Sequence, residues 1–118
     1  MNDRTPVKAW HKIINDLDFF NNNPRLYPYW ATGKYKVVEH NDKNLLVTVY
    51  RQNNRALAVI SNFGENRKVE FNLNSKNLQL HPRGAMDMEN PARKDINFDG
   101  SNVSLEIPRH DYRIVLFE

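Results

Sequence analysis

The chain has 118 residues, of which 40% are hydrophobic and 26% are charged, so it has the size and composition of one globular domain rather than of a disordered chain. It contains no cysteine, which excludes disulfides and thiolate chemistry, and no apolar run approaches the roughly 20 residues of a membrane-spanning helix. The formal net charge is only +3, and basic residues occur at most in adjacent pairs, so we expect neither a nucleic acid nor a membrane as a partner.

The first predicted element is an amphipathic helix that begins at Thr5 and ends near Phe20. Its apolar residues recur at steps of three and four, the period of one helix face; they are Val7, Trp10, Ile13, Ile14 and Leu17. Pro6 suits the first helical position, where its missing N–H costs no hydrogen bond. Pro24 favours an end to the helix, because the residue before a proline avoids the helical conformation.

After Gly33 the period of the apolar residues changes from that of a helix to two, which predicts β-strands. The predicted strands are Lys34–His40, Leu45–Arg51, Arg55–Asn62, Arg67–Leu73, Leu78–Leu80, Ala85–Glu89, Ile96–Phe98, Asn102–Ile107 and Tyr112–Phe117. Turn-forming residues separate these strands, and Asp99-Gly100 is a strong signal for a hairpin.

These elements predict a mainly β fold class, namely an antiparallel β-sandwich of about seven to nine strands preceded by one N-terminal α-helix. An OB-like barrel is the alternative that the same number of strands allows. In the predicted organisation, residues 1–32 form the helix and a linker that pack on the sandwich, and residues 33–118 form the sandwich. The two parts together make one structural domain.

A calcium-loop pattern, D-x-[DN]-x-[DN]-G-x5-E, begins at Asp95 and ends at Glu106. An EF-hand needs a helix on each side of this loop, whereas the alternating apolar residues after its glycine predict a strand with Glu106 on the outer face. We therefore interpret the segment as a hairpin and expect the fold to need no metal or other cofactor. Asp95, Asn97 and Asp99 remain the candidates for a calcium site of another kind.

No pattern in the chain predicts catalysis. The four histidines fall on separate predicted elements without a zinc-ligand spacing, and no serine lies in a G-x-S-x-G elbow. Asp16 and Asp18 point in different directions on a helix, whereas Asp87 and Glu89 share a strand face that we expect to be solvated. The sequence therefore predicts that the chain by itself is not an enzyme.

Aromatic residues cluster at the junction between the predicted helix and the first predicted strand; they are Phe19, Phe20, Tyr27, Tyr29 and Trp30. We favour the interpretation that they form the seam where the helix packs on the sandwich, because a solitary amphipathic helix must bury its apolar face. The alternative is that exposed rings stack on sugars. Tyr27, Tyr29 and Trp30 are the candidate carbohydrate-binding residues in that case.

The order of these elements resembles the end of many bacterial glycoside hydrolases, where a last helix precedes a C-terminal β-sandwich of the α-amylase type. The segments that carry the resemblance are Trp10–Ile14 in the predicted helix, Asn23–Trp30, Val47–Arg51, Ala58–Phe63, Val103–Pro108 and Tyr112–Leu116. The triplet Pro28-Tyr29-Trp30 is also similar to a Bacteroides-type family of glycoside hydrolase-like proteins. In such enzymes the catalytic carboxylates lie upstream in a barrel, so no catalytic residue is carried over to this chain.

The resemblance implies a non-catalytic accessory domain that stabilises or packs against an upstream catalytic domain of the same polypeptide. It further implies that the parent protein is a glycoside hydrolase of carbohydrate metabolism, located outside the cell or in the periplasm. No signal peptide is apparent in the opening residues, so this location is an expectation about the parent protein. The alternative function is a carbohydrate-binding module, with carbohydrate as the partner.

Overall fold

The structure is a computed structural model that describes residues 12, 13, 15, 25–65 and 67–118. Two antiparallel sheets make up most of this part of the chain. The strands described are β1 (Arg25–Tyr27), β2 (Val38–Glu39), β3 (Leu45–Gln52), β4 (Arg55–Asn62), β5 (Lys68–Leu73), β6 (Ala85–Asp87), β7 (Asn97–Phe98), β8 (Asn102–Glu106) and β9 (Asp111–Phe117). The five-stranded sheet has the order β1-β3-β4-β9-β6, and the four-stranded sheet has the order β2-β5-β8-β7.

The prediction of a mainly β fold with about seven to nine antiparallel strands is therefore confirmed. The described strands form two separate sheets rather than the single closed sheet of a barrel. Of the predicted N-terminal helix, the described residues are Lys12, Ile13 and Asn15, and these three are helical. The rest of that prediction lies outside the described residues, and the helix as a whole stays a prediction.

The main core lies between the two sheets and draws alternate residues from each strand. Its fully buried members include Val49, Ala58 and Val115, which occupy directly paired positions on β3, β4 and β9. Because the side chains of a strand alternate between its faces, the neighbours of these residues point to the opposite face of the same sheet.

That opposite face of the five-stranded sheet is also apolar, and Ile13 packs against it. Ile13 belongs to a second buried cluster with Leu57, Tyr112, Ile114 and Leu116. The five-stranded sheet is thus buried on both faces at its centre, which explains why β4 and β9 carry apolar residues at consecutive positions. The prediction of β4 as a central strand is confirmed, since β4 lies between β3 and β9.

The predicted strand Lys34–His40 is wrong over its first half. Residues Gly33–Tyr35 form a 3-10 helix, in which the Tyr35 N–H donates to the Thr32 carbonyl at 3.2 Å. Gly33 has a φ of +62°, a left-handed conformation that turns the chain before it can extend. Only Val38–Glu39 pairs as a strand, with the end of β5.

The predicted strand Leu78–Leu80 is also wrong, because the chain forms a short helix there, α1 (Ser75–Leu78). The Asn74 side chain caps this helix by accepting a hydrogen bond from the Asn77 N–H at 3.0 Å. Gln79 then ends it in the left-handed conformation, with a φ of 58°. Leu78 and Leu80 are buried, as their apolar character predicts, but the Asn74 cap rather than the apolar pattern determines the local conformation.

Arg113 lies in the core between the sheets, at the position of β9 that pairs with Ile60. Its side chain is only 3% exposed, and its Nε donates to Oδ2 of Asp87 at 2.7 Å. Nη1 and Nη2 donate to the two carboxylate oxygens of Asp95, both at 2.8 Å. Nη1 also donates to the Glu106 carbonyl at 3.3 Å. The guanidinium therefore joins β9 to β6, to the segment before β7 and to β8 of the other sheet.

We predict that Arg113→Met lowers the free energy of unfolding by about 3–5 kcal/mol, because it leaves the Asp87 carboxylate buried without its charged partner. Urea denaturation measures this loss. The matched control is Lys68→Met, which removes a cation whose pair with Glu70 is exposed to solvent. The control should change stability by less than about 0.5 kcal/mol, and equal losses in both variants would contradict the prediction.

Candidate functional site

The three predicted sugar-binding residues fall into two different environments. Tyr27 is 2% exposed and belongs to the main core, whereas Tyr29 and Trp30 are 52% and 67% exposed. Tyr27 is therefore a structural residue of β1 and offers no open ring face to a ligand. Two further large apolar side chains of the same segment, Leu26 and Tyr35, are also exposed. We call Leu26, Tyr29, Trp30 and Tyr35 the aromatic patch.

The backbone that carries the aromatic patch is held on the sandwich at several points. β1 is an edge strand that pairs with β3, and the sequence did not predict it. A turn follows, in which the Ala31 N–H donates to the Pro28 carbonyl at 3.0 Å. The Asn77 side-chain amide donates to the carbonyls of Gly33 and Lys36, at 3.2 and 2.8 Å. The patch is thus displayed on an anchored segment.

The rings of Tyr29 and Trp30 do not form a flat platform. Their centroids are 4.9 Å apart and their planes meet at 88°, an edge-to-face arrangement. A sugar that stacks on one of these rings therefore cannot lie parallel to the other. This geometry offers one stacking surface at most.

Beside the aromatic patch lies a hollow of about 480 Å³ with basic side chains around it. Its lining residues are Arg25, Leu26, Tyr27, Lys34, Tyr35, Lys76, Asn77 and Gln79. Lys34 Nζ is 5.2 Å from the centre of the Tyr35 ring, a cation–π contact that joins hollow and patch. Since no acidic residue of the described chain lines this cationic hollow, its chemistry favours a negatively charged partner group.

The predicted aromatic seam can be followed only in part. Phe19 and Phe20 lie outside the described residues, so their packing stays a prediction. Tyr27 is buried as a seam residue would be, but its neighbours are the strands of the main core. Ile13 of the predicted helix packs instead on the outer face of β4 and β9.

Two of the candidate calcium ligands, Asn97 and Asp99, line one polar groove on the four-stranded sheet, whereas Asp95 is bound to arginine. Both carboxylate oxygens of Asp95 bind Arg113, and one also lies 2.9 Å from Arg93. Desolvation raises the pKa of Asp95, but hydrogen bonds and charge from Arg113, with the charge of Arg93, outweigh it and hold this pKa below its usual range. Asp95 is therefore an ionised partner of arginine rather than an open metal ligand.

Asp99 stabilises the turn between β7 and β8. It accepts hydrogen bonds from the backbone N–H groups of Asn102 and Ser101, at 2.7 and 3.0 Å, and these bonds hold its pKa below the usual range. Gly100 has a φ of +100°, and the predicted hairpin is confirmed. Glu106 is exposed on β8, as the alternation predicted. The described residues contain no group of three or more His, Asp or Glu side chains that could hold a metal ion together.

A polar groove that the sequence does not predict lies on the outer face of the four-stranded sheet. The groove has a volume of about 710 Å³ and is lined by Glu39, His40, Asn41, Glu70, Phe71, Asn72, Asn97, Phe98, Asp99, Asn102, Val103 and Ser104. Polar residues at alternate positions of β5 and β8 were the available signal. The sequence could not show which strands lie side by side, and the groove exists only because β2, β5, β8 and β7 are neighbours.

The expectation that Asp87 and Glu89 share a solvated strand face is wrong for Asp87, which is 4% exposed. Asp87 is bound to Arg113, and Glu89 accepts a hydrogen bond from the Tyr112 hydroxyl at 3.3 Å. His40 lies at the groove and His110 beside Phe63, whereas His11 is outside the described residues. Both carboxylates are therefore engaged by other side chains of the chain.

Comparison with known proteins finds no matching protein-family model, no significantly similar curated protein and no significantly similar solved structure. Within the described residues, no helix has the length and apolar character needed to cross a membrane.

We predict that millimolar calcium does not raise the melting temperature of the chain and that a chelator does not lower it. Asp95 is neutralised by Arg113, and the Asp99 carboxylate is engaged by the turn, so a calcium ion would have to displace both sets of bonds. Differential scanning fluorimetry measures the shift. A true site would add about 2.7 kcal/mol at a hundredfold excess over its Kd. A rise of several degrees that disappears in Asp99→Asn would contradict the prediction.

Proposed function

We propose that this chain is a non-catalytic β-sandwich domain that packs through its aromatic patch on the catalytic domain of a glycoside hydrolase. The observation that carries the proposal is the display of large rings on an anchored segment beside a cationic hollow. The link to glycoside hydrolases, and to a protein acting outside the cell or in the periplasm, comes from the sequence resemblance. The partner surface is expected to belong to an upstream domain of the same polypeptide.

The aromatic patch has the chemistry of a protein interface. Tyrosine and tryptophan are enriched at such interfaces, where a few of them supply most of the binding energy. Trp30 is the most exposed large hydrophobic residue among those described, and Leu26, Tyr29 and Tyr35 lie on the same short segment. Because Asn77 already anchors that segment, docking would order little additional backbone.

The cationic hollow supports a particular orientation of the partner. Arg25, Lys34 and Lys76 surround a concave surface next to the exposed rings. A partner with an apolar contact surface flanked by acidic side chains would satisfy both features at once. Charged groups at the rim of an interface mainly set orientation and the rate of association, whereas the central rings supply the affinity.

The ion pairs of Asp87 and Asp95 with Arg113 support the non-catalytic part of the proposal. A general acid or nucleophile needs a carboxylate that is free to exchange a proton or attack a substrate. Asp87 and Asp95 are instead both committed to Arg113. We expect no turnover of aryl glycosides by the isolated chain, and the chemistry would belong to the upstream domain.

We predict that Trp30→Ala destabilises the full-length parent protein by about 2 kcal/mol or more, which is the usual loss at a central interface residue. The isolated chain should lose little, because Trp30 is exposed there. The matched control is Phe63→Ala, which removes a ring of similar exposure, 53%, from another surface. Denaturant unfolding of full-length and isolated proteins measures both effects.

The same comparison can contradict the proposal. Equal stability of Trp30→Ala and Phe63→Ala in the full-length protein would exclude the aromatic patch as the interface. A gene in which no catalytic domain precedes this chain would exclude the accessory function itself.

The second candidate function is carbohydrate binding, and the 67% exposure of Trp30 favours it. It ranks second because the perpendicular Tyr29 ring prevents the two rings from forming one stacking platform. We predict that soluble neutral oligosaccharides cause no saturable change in tryptophan fluorescence. A saturable change that is lost in Trp30→Ala and kept in Phe63→Ala would instead establish a carbohydrate-binding module at the patch.

A further inference from the structure

The polar groove on the four-stranded sheet is built from side chains in register across the strands. Glu39 on β2 faces Asn72 on β5, and Asn72 in turn faces Asn102 on β8. A second row crosses the sheet two residues along the strands, from Glu70 on β5 through Ser104 on β8 to Asn97 on β7. Directly opposed residues lie about 4.5–5.5 Å apart, so each row is a continuous strip of polar groups.

Much of the hydrogen-bonding capacity of these rows is unused. Among the described residues, the side chains of Glu39, Asn97 and Ser104 make no hydrogen bond or ion pair. Asn72 uses its Oδ1 to accept from Ser101 at 3.1 Å, which leaves its NH2 group for a ligand. The groove therefore presents carboxylates, amide groups and a hydroxyl to whatever enters it, and its volume of about 710 Å³ is typical of a ligand site.

The charge of the groove selects among ligands. Glu39, Glu70 and Asp99 line it, and within the described residues no lysine or arginine does, although the whole chain has a net charge of +3. Glu70 also forms an ion pair with Lys68 at 3.5 Å, but both side chains are exposed, so solvent screens this pair and Glu70 can exchange its partner for a ligand. Desolvation lowers the pKa of His40 and, together with the charge of Lys36, outweighs the opposing effect of Asp42, so His40 is less protonated than a free histidine. Phosphates, acidic sugars and nucleic acids would be repelled, whereas a cationic ligand is attracted.

We propose that the polar groove binds an oligosaccharide made of amino sugars. The ammonium groups of such a ligand pair with Glu39 and Glu70, and its hydroxyls exchange hydrogen bonds with Asn72, Asn97 and Ser104. A simple polyamine has no hydroxyls for these amides, and a neutral sugar offers the carboxylates hydroxyl donors but no positive charge. The amino sugar is the ligand class that uses both halves of the lining. This site is separate from the aromatic patch and does not depend on the proposed docking function.

The test is calorimetric titration of the whole chain with four tetramers at mildly acidic pH, where the sugar amines are protonated. The probes are β-1,4-linked glucosamine, β-1,4-linked glucose, lysine and galacturonic acid. We expect saturable binding of the glucosamine tetramer, roughly tenfold weaker binding of the glucose tetramer, and no binding of the galacturonic acid tetramer. No saturable binding of the glucosamine tetramer overturns the proposal. Equally tight binding of tetralysine also overturns it, since a non-specific acidic surface would explain that result.

Variants assign the binding to the groove. The double variant Glu39→Gln and Glu70→Gln keeps side-chain size and should weaken glucosamine binding roughly three- to tenfold. Glu106→Gln is the matched control, because Glu106 is an exposed carboxylate on the same sheet that does not line the groove. Unchanged affinity in the double variant, or equal losses in the double variant and the control, would overturn the assignment.

A second pair of changes tests the uncharged half of the lining. Asn97→Ala and Ser104→Ala remove groups without hydrogen-bond partners among the described residues, so the melting temperature should stay the same while affinity falls. Trp30→Ala should bind the glucosamine tetramer as the unmodified chain does. Loss of binding in Trp30→Ala with full binding in the groove variants would move the site to the aromatic patch and overturn this proposal.

Discussion

The buried guanidinium of Arg113 is the interaction on which the joint between the two sheets depends. It sits on the inner face of β9, next to the apolar Val115 and opposite the apolar Ile60, and three segments supply its oxygen partners. Because strand side chains alternate, a slip of β9 by one residue would move Arg113 to the outer face and leave Asp87 unpaired in the core. The ion pairs therefore specify the register of β9 against β6 as well as the packing of the sheets.

The two open surfaces of the molecule follow from how the five-stranded sheet is covered. Its inner face meets the four-stranded sheet, and its outer face carries the apolar cluster that contains Ile13. In the described residues this leaves the outer face of the four-stranded sheet and the edge beside β1 for other molecules. The edge carries exposed rings and cations, whereas the open sheet face carries carboxylates and amides. Their opposite chemistry is why we assign them to different partners.

How well each element could be predicted depended on how close in the chain the residues that determine it lie. β4 was predicted with its observed limits, Arg55–Asn62, because consecutive apolar residues mark a strand that is buried on both faces. The strand predicted at Leu78–Leu80 failed because the Asn74 cap and the left-handed Gln79 outweighed the apolar pattern. β1 was missed because a strand of three residues carries too little periodicity to detect.

Taken alone, the sequence determined the mainly β class, the long central strands and the Asp99-Gly100 hairpin, since periodicity and turn chemistry act between near neighbours. Only the tertiary structure decided the surroundings of the candidate site residues. It bound Asp95 to an arginine 18 residues away, buried Tyr27 while exposing Trp30, and lined up polar side chains from β2, β5, β8 and β7 as one groove. The physical reason is that ion pairs, burial and the order of strands in a sheet depend on segments far apart in the chain. A local sequence pattern does not show which distant segments come together.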